Sequence, residues 1–101
     1  MLIAIITTTD SKKNAKKIAD TLLKERLAAC IQIDKIISYY TWQGKIERQK
    51  EYRLTIKTQN GHYKKLVKAI KKIHSYDIPE IIKINIDKAD KSYAKWVKEV
   101  T

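Results

Sequence analysis

HSYDIPEI, residues 74–81, joins a lysine-rich helical pattern to a row of isoleucines. Pro79 has no backbone N–H to donate and biases Ile78 toward extended backbone, so the helix must stop before it and a strand must start after it. The same connection gathers His74, Tyr76, Asp77 and Glu80, which makes it the first place to look for function.

Upstream, His62 to Ile73 sets Leu66, Ala69, Ile70 and Ile73 at helical spacing. Lys64, Lys65, Lys68, Lys71 and Lys72 fall on the opposing arc of roughly 120°, which reads first as a solvated helix face. Downstream, Ile82, Ile84 and Ile86 alternate with Lys83, Asn85 and Asp87 as a strand. Asp90 then caps a last helix in which Tyr93, Trp96, Val97 and Val100 share one side.

The first half obeys the same rules. Leu2 to Ile6 is an apolar run of strand length, and Thr7 to Ser11 offers the hydroxyl and carboxylate side chains that cap a helix. From Lys12 to Leu27 the residues Ala15, Ile18, Ala19, Leu22 and Leu23 recur at helical spacing. Ala28 to Trp42 is rich in β-branched and aromatic residues and reads as a long second strand, ended by a turn at Gln43 and Gly44. Tyr52, Leu54 and Ile56 alternate with charged and polar residues in a third strand that pairs back as a hairpin, and Asn60-Gly61 closes it.

The order is βαββαβ with an extra C-terminal helix, which predicts an α+β, ferredoxin-like sandwich with helices over one sheet face. Residues 1–101 are expected to form a single domain. The second and third strands look longer than the first and fourth can pair. Part of their hairpin should overhang, carrying Tyr39, Tyr40 and Trp42, and an exposed edge of that kind predicts an oligomer.

Composition narrows the classes. The 44% hydrophobic fraction is ordinary for a globular chain, and no apolar run approaches the roughly 20 residues that cross a bilayer, so no membrane partner is expected. The start, MLIAII, lacks the basic leader and small-residue cleavage site of a signal peptide. With one cysteine, Cys30, no internal disulfide can form, and a cytoplasmic location is the expectation. The net charge of +11 raises the question of nucleic acid, yet the charge is spread through both halves without a basic tail, and no RNP-type pattern occurs. Nucleic acid is therefore not an expected partner. A charge fraction of 33% with only two glycines also leads us to expect ion-pair networks and high stability.

For chemistry, His74 with Asp77 and Glu80 offers an imidazole and two carboxylates to a divalent ion, although Pro79 breaks the helical geometry between them. The plainer reading is that His74 caps the helix and bonds its last carbonyls. Cys30, among Ala28, Ala29 and Ile31, reads as a structural thiol before it reads as a ligand. Glu51 and Lys57 share one face of the third strand but lie about 20 Å apart at its rise, too far to pair. Tyr39, Tyr40 and Trp42 suit interface packing, and the two separated glycines exclude a glycine-rich phosphate loop.

ERLAAC at 25–30, YYTWQGKIE at 39–47, Glu51 with Lys57-Thr58, HSYDIPEII at 74–82, and Tyr93 with Trp96 together resemble the CutA family of divalent-cation tolerance proteins. The resemblance runs in order along nearly the whole chain. It implies a cytoplasmic homotrimer similar in outline to PII signalling proteins, linked to tolerance of copper and other divalent ions. It also implies a cleft between subunits, with Tyr40, Trp42, Glu51, Lys57, His74, Tyr76, Pro79 and Glu80 at or near it and Cys30 at the shared ERLAAC position. Where many relatives have proline this chain has Ser75. Where some have a cysteine and a second histidine it has Ile6 and Ile73, so a strong thiolate-imidazole copper site cannot form.

The expectation is a homotrimeric protein that binds divalent metal ions weakly through His74 or Cys30, needs no cofactor and catalyses no reaction. Cu(II) is the candidate ion. The alternative is a PII-like sensor of a small anion or metabolite, with Lys57 in the cleft. An acylphosphatase shares the fold but needs an arginine and an asparagine around its phosphate loop, and Thr7 to Ser11 contains neither.

Overall fold

The computed structural model describes residues 1–101. Elements run β1 (Leu2–Thr9), α1 (Lys12–Lys24), β2 (Cys30–Trp42), β3 (Lys45–Gln59), a 3₁₀ turn (Asn60–His62), α2 (Tyr63–Ile73), β4 (Ile81–Asn85) and α3 (Lys91–Val100). The four strands form one antiparallel sheet in the order β2-β3-β1-β4. This is the expected α+β, ferredoxin-like arrangement with its terminal helix.

The core lies between the sheet and the paired helices α1 and α2. Ile3, Ile5, Leu54 and Ile56 from the sheet meet Ala15, Ile18, Leu22, Leu66 and Ile70 from the helices, and none of these side chains reaches solvent. The α2 lysines all point outward, and neither ion pair of the chain involves them. Val97 of α3 is also fully buried but lies outside this core. No helix is long and apolar enough to cross a membrane.

Several boundaries differ from the sequence reading. β1 continues through Thr7, Thr8 and Thr9, because β3 supplies ladder partners as far as Tyr52. Only Ser11 caps α1, accepting from the Asn14 N–H at 3.1 Å. α1 stops at Lys24, not Leu27. Arg26 adopts φ 56°, and Leu27 N–H and Arg26 N–H return to the carbonyls of Leu22 and Leu23, a Schellman closure built without glycine. β4 starts at Ile81, whose side chain packs on the core, so Ile82 and Ile84 face the opposite side of the sheet and stay nearly half exposed. The chain also holds two isolated ion pairs, Arg53–Asp34 and Lys95–Glu99.

The hairpin overhangs as expected. β3 pairs with β1 only from Tyr52 onward, whereas β2 and β3 remain paired to Trp42 and Lys45. Gln43 and Gly44, at φ 50° and 77°, make the tight turn between them. The projecting ribbon stretches the molecule to 45 × 25 × 22 Å. The radius of gyration is 14.2 Å, above the roughly 13 Å typical of a compact chain this long. Ile37, Tyr39, Trp42 and Ile46 are exposed along the ribbon.

Candidate functional site

The segment 74–80 is fixed in place from α1 and β1. The Asn14 side chain donates to the Ile73 carbonyl at 2.9 Å, and its Oδ1 accepts the Ser75 N–H at 3.3 Å. A proline at position 75 would have no such proton to give. Ser75 Oγ also meets Thr9 Oγ1 at 3.3 Å.

His74 ends α2, its backbone N–H reaching the Ile70 carbonyl at 2.8 Å, while its ring turns away from the helix. Nε2 lies 2.9 Å from the Thr8 carbonyl, and Nδ1 lies 3.0 Å from the Tyr76 N–H. A carbonyl only accepts and a backbone amide only donates, so the ring is the neutral tautomer with its proton on Nε2. Burial holds the His74 pKa below its usual value, against the opposing pull of the Thr8 bond and of Asp10 and Glu51. Both nitrogens are therefore engaged with backbone.

Tyr76 follows, its ring tilted against His74 at 5.1 Å between centroids. Its hydroxyl donates to Glu51 Oε2 at 2.7 Å. Burial first, and then the Glu51 carboxylate, push the phenol far above its ordinary range, so it stays a donor. Glu51 is itself only 7% exposed although it sits at the root of the projecting ribbon.

A pocket of about 490 Å³ opens beside this pair. The sheet contributes Thr8, Tyr40, Trp42, Gln49 and Glu51, and the 74–80 segment contributes Tyr76, Asp77, Ile78 and Glu80. Tyr40 donates to Gln49 Oε1 at 2.7 Å and Gln49 donates to Asp10 at 3.2 Å, which fixes one wall. Three carboxylates line the pocket, and no lysine or arginine does.

The structure thus brings together Tyr40, Trp42, Glu51, Tyr76 and Glu80. Pro79 sits in the supporting segment, and His74 stands behind Tyr76. Lys57 lies elsewhere, opposite Cys30 and bonded to the Gln32 side chain. Cys30 is half-buried and approached by Tyr93. Lys57, the ladder partner of Cys30, pairs with Ala4, four positions along β1 from Thr8. At about 3.4 Å per residue, Cys30 and His74 are separated by more than 13 Å along the strand direction alone. No three His, Cys, Asp or Glu side chains converge on one point where they could hold a metal ion. Thr8, Gln49 and Ile78 were not singled out in the sequence; the register of Thr8 beside the root of the ribbon is the signal that could have found it.

Known proteins match along almost the full length. The profile of the CutA1 divalent ion tolerance protein family matches residues 3–100. The divalent-cation tolerance protein CutA of Pyrococcus horikoshii is 40% identical over 100 residues, covering 99% of this chain and 98% of its own. Human protein CutA is 36% identical over 99 residues, covering 97% of this chain and 55% of its own. Among solved structures, the periplasmic divalent cation tolerance protein CutA of Archaeoglobus fulgidus superposes with a TM-score of 0.97 at 35% identity, covering 99% and 98% of the two chains. CutA1 of Pyrococcus horikoshii superposes at 0.95 with 39% identity, covering 98% and 97%.

Proposed function

The chain belongs to the CutA family of divalent ion tolerance proteins, and from that premise we propose that it is a divalent-cation tolerance protein acting as a cytoplasmic homotrimer. It binds divalent ions such as Cu(II) weakly and catalyses no reaction of its own. The observation that carries this reading is the end-to-end match to proteins named for that tolerance.

Assembly is supported by the overhanging ribbon and by Ile82 and Ile84 on the uncovered sheet face, apolar surface that a second copy would cover. Weak metal binding fits the donors available. His74 can offer Nδ1 only by giving up the Tyr76 N–H, and Cys30 offers a thiol too distant to join it on one ion. Relatives carry both periplasmic and chloroplastic names, so the cytoplasmic assignment rests on the lone free cysteine.

A small-anion sensor draws no support from the pocket, which presents Glu51, Asp77 and Glu80 and excludes Lys57. Calorimetric titration of the purified protein with CuCl₂ tests the metal reading. Saturable binding with a dissociation constant in the micromolar range or weaker is expected, and no heat beyond dilution at millimolar copper would remove direct binding.

A further inference from the structure

Along the sequence the positive charge is spread through both halves, but the fold gathers it on one face. α1 and α2 carry five lysines each and one acid between them, Asp20. The chain's 22 basic and 11 acidic residues leave a net charge of +11, and nine of those charges sit on these two helices. The rest of the chain is close to balanced. All ten lysines are exposed, and the chain makes no use of them: its ion pairs take Arg53 and Lys95, and the lysines that hydrogen-bond are Lys57 and Lys83. Lys64, Lys68 and Lys72 even stand at successive four-residue spacings, where like charges weaken a helix. The face is thus a dense positive field that nothing in the chain neutralises, and it calls for a polyanion.

A groove of about 440 Å³ runs between the two helices, with Lys65, Lys68 and Lys72 along its α2 wall and Thr21 and Glu25 on the α1 side. This face stays open when chains associate. The helices cover the sheet side that Ile81 enters, whereas Ile82 and Ile84, the apolar surface for a second copy, lie on the opposite side.

The side chains on the face narrow the choice of polyanion. Neither helix contains an arginine, and their one aromatic ring, Tyr63, packs on the core with Lys83 over it. Base edges are read by forked donors such as arginine, and single strands are held by stacking bases on aromatic rings. With both absent, what remains is the attraction of ammonium groups for phosphates. An anionic bilayer is held firmly when apolar side chains enter it as well, and Leu23 is the one large apolar residue exposed on these helices. A flat bilayer would also leave the groove unfilled. A duplex presents one charge per about 1.7 Å, so about a dozen phosphates lie along the roughly 20 Å of α1, which is close to the lysine count of the face.

We propose that the α1–α2 face binds double-stranded nucleic acid by its phosphate backbone, without reading sequence, with one strand along the groove and its phosphates beside Lys65, Lys68 and Lys72. The segregation of charge onto the helical layer is what the even spread along the sequence conceals.

The test is fluorescence anisotropy of the full chain in its native assembly with labelled DNA duplexes of about 20 base pairs, in two unrelated sequences. Between 0.05 and 0.2 M salt, the expected results are a micromolar dissociation constant at the low end, equal for both sequences, and a slope of log affinity on log salt of about −4 or steeper. Combining Lys65→Gln, Lys68→Gln and Lys72→Gln should weaken binding about tenfold or more and make the slope shallower by about 2 to 3. The control combines Lys88→Gln, Lys91→Gln and Lys98→Gln, which removes the same charge from exposed positions off this face and should bind within about twofold of the parent. All six substitutions are at exposed sites, and circular dichroism checks that both variants keep the parent fold. No binding at about 100 μM protein in 0.05 M salt overturns the proposal, as does a slope near zero or a groove variant that binds as well as the control. Tighter binding of the single strand overturns the duplex assignment. Phosphatidylserine vesicles bound more tightly than the duplex at the same salt would make the face a membrane surface and overturn it too.

Discussion

The Tyr76 hydroxyl and the Glu51 carboxylate meet at 2.7 Å, tying the segment after α2 to the root of the β2–β3 ribbon. Glu51 is nearly sealed from solvent, and this is its one hydrogen bond. The pair is thus the clasp on which the pocket is built, and its cost and benefit can be measured.

Tyr76→Phe removes the donor and leaves the carboxylate buried without it. Urea unfolding at fixed protein concentration should show a loss of about 1.5–3 kcal/mol, the range for a hydrogen bond to a charged group. Glu51→Gln keeps an acceptor for the phenol and should cost less. Equal stability of Tyr76→Phe and the parent would mean that the clasp contributes nothing.

His74 makes stability depend on pH. Its folded pKa lies below the unfolded value of 6.5, chiefly through burial. The unfolded chain therefore binds the extra proton first. The stabilisation is fully present above pH 6.5, declines as pH falls through that value, and levels off below the folded pKa. Protonation of Nδ1 also ejects the Tyr76 N–H. Thermal unfolding between pH 8 and 5 should show this decline, and His74→Gln should flatten it.

How much of this was legible beforehand depends on what each residue answers to. Pro79 and the alternation of Tyr52, Leu54 and Ile56 answer to local rules, and they placed α2 and the start of β4 within a residue or two and identified β3, which begins at Lys45, well before that alternation. Thr7 to Thr9 read as capping residues because threonine serves both roles. The ladder to β3 decided for strand, which no local pattern contains. The isoleucines at 82 and 84 have the right period but face away from the helices, because the register against β1 puts Ile81 inward. The pocket joins positions from three strands and a loop, so its members were legible by family resemblance and its acidic character only in space.

Thr7 itself carries a further expectation. Its side chain is fully buried and its Oγ1 has no hydrogen-bond partner. Thr7→Val replaces the hydroxyl with a methyl of nearly the same size and should raise stability by about 1 kcal/mol. A lower unfolding midpoint for Thr7→Val would mean that the hydroxyl does find a partner.

Because His74 sits against the Thr8 end of β1 and Cys30 lies level with Ala4, four positions away, they cannot share an ion. Copper titrations of His74→Ala, Cys30→Ser and the double variant should show independent, additive losses. A single substitution that abolishes all binding would place both on one site and contradict the geometry.

The central claim is that the overhanging ribbon and the uncovered isoleucines assemble three chains. Light scattering coupled to size-exclusion chromatography tests it most directly. The parent should elute with about three times the 11.8 kDa chain mass, and Ile82→Lys combined with Ile84→Lys should shift it toward monomer. A parent chain that runs as a stable 11.8 kDa monomer at micromolar concentration would contradict the account.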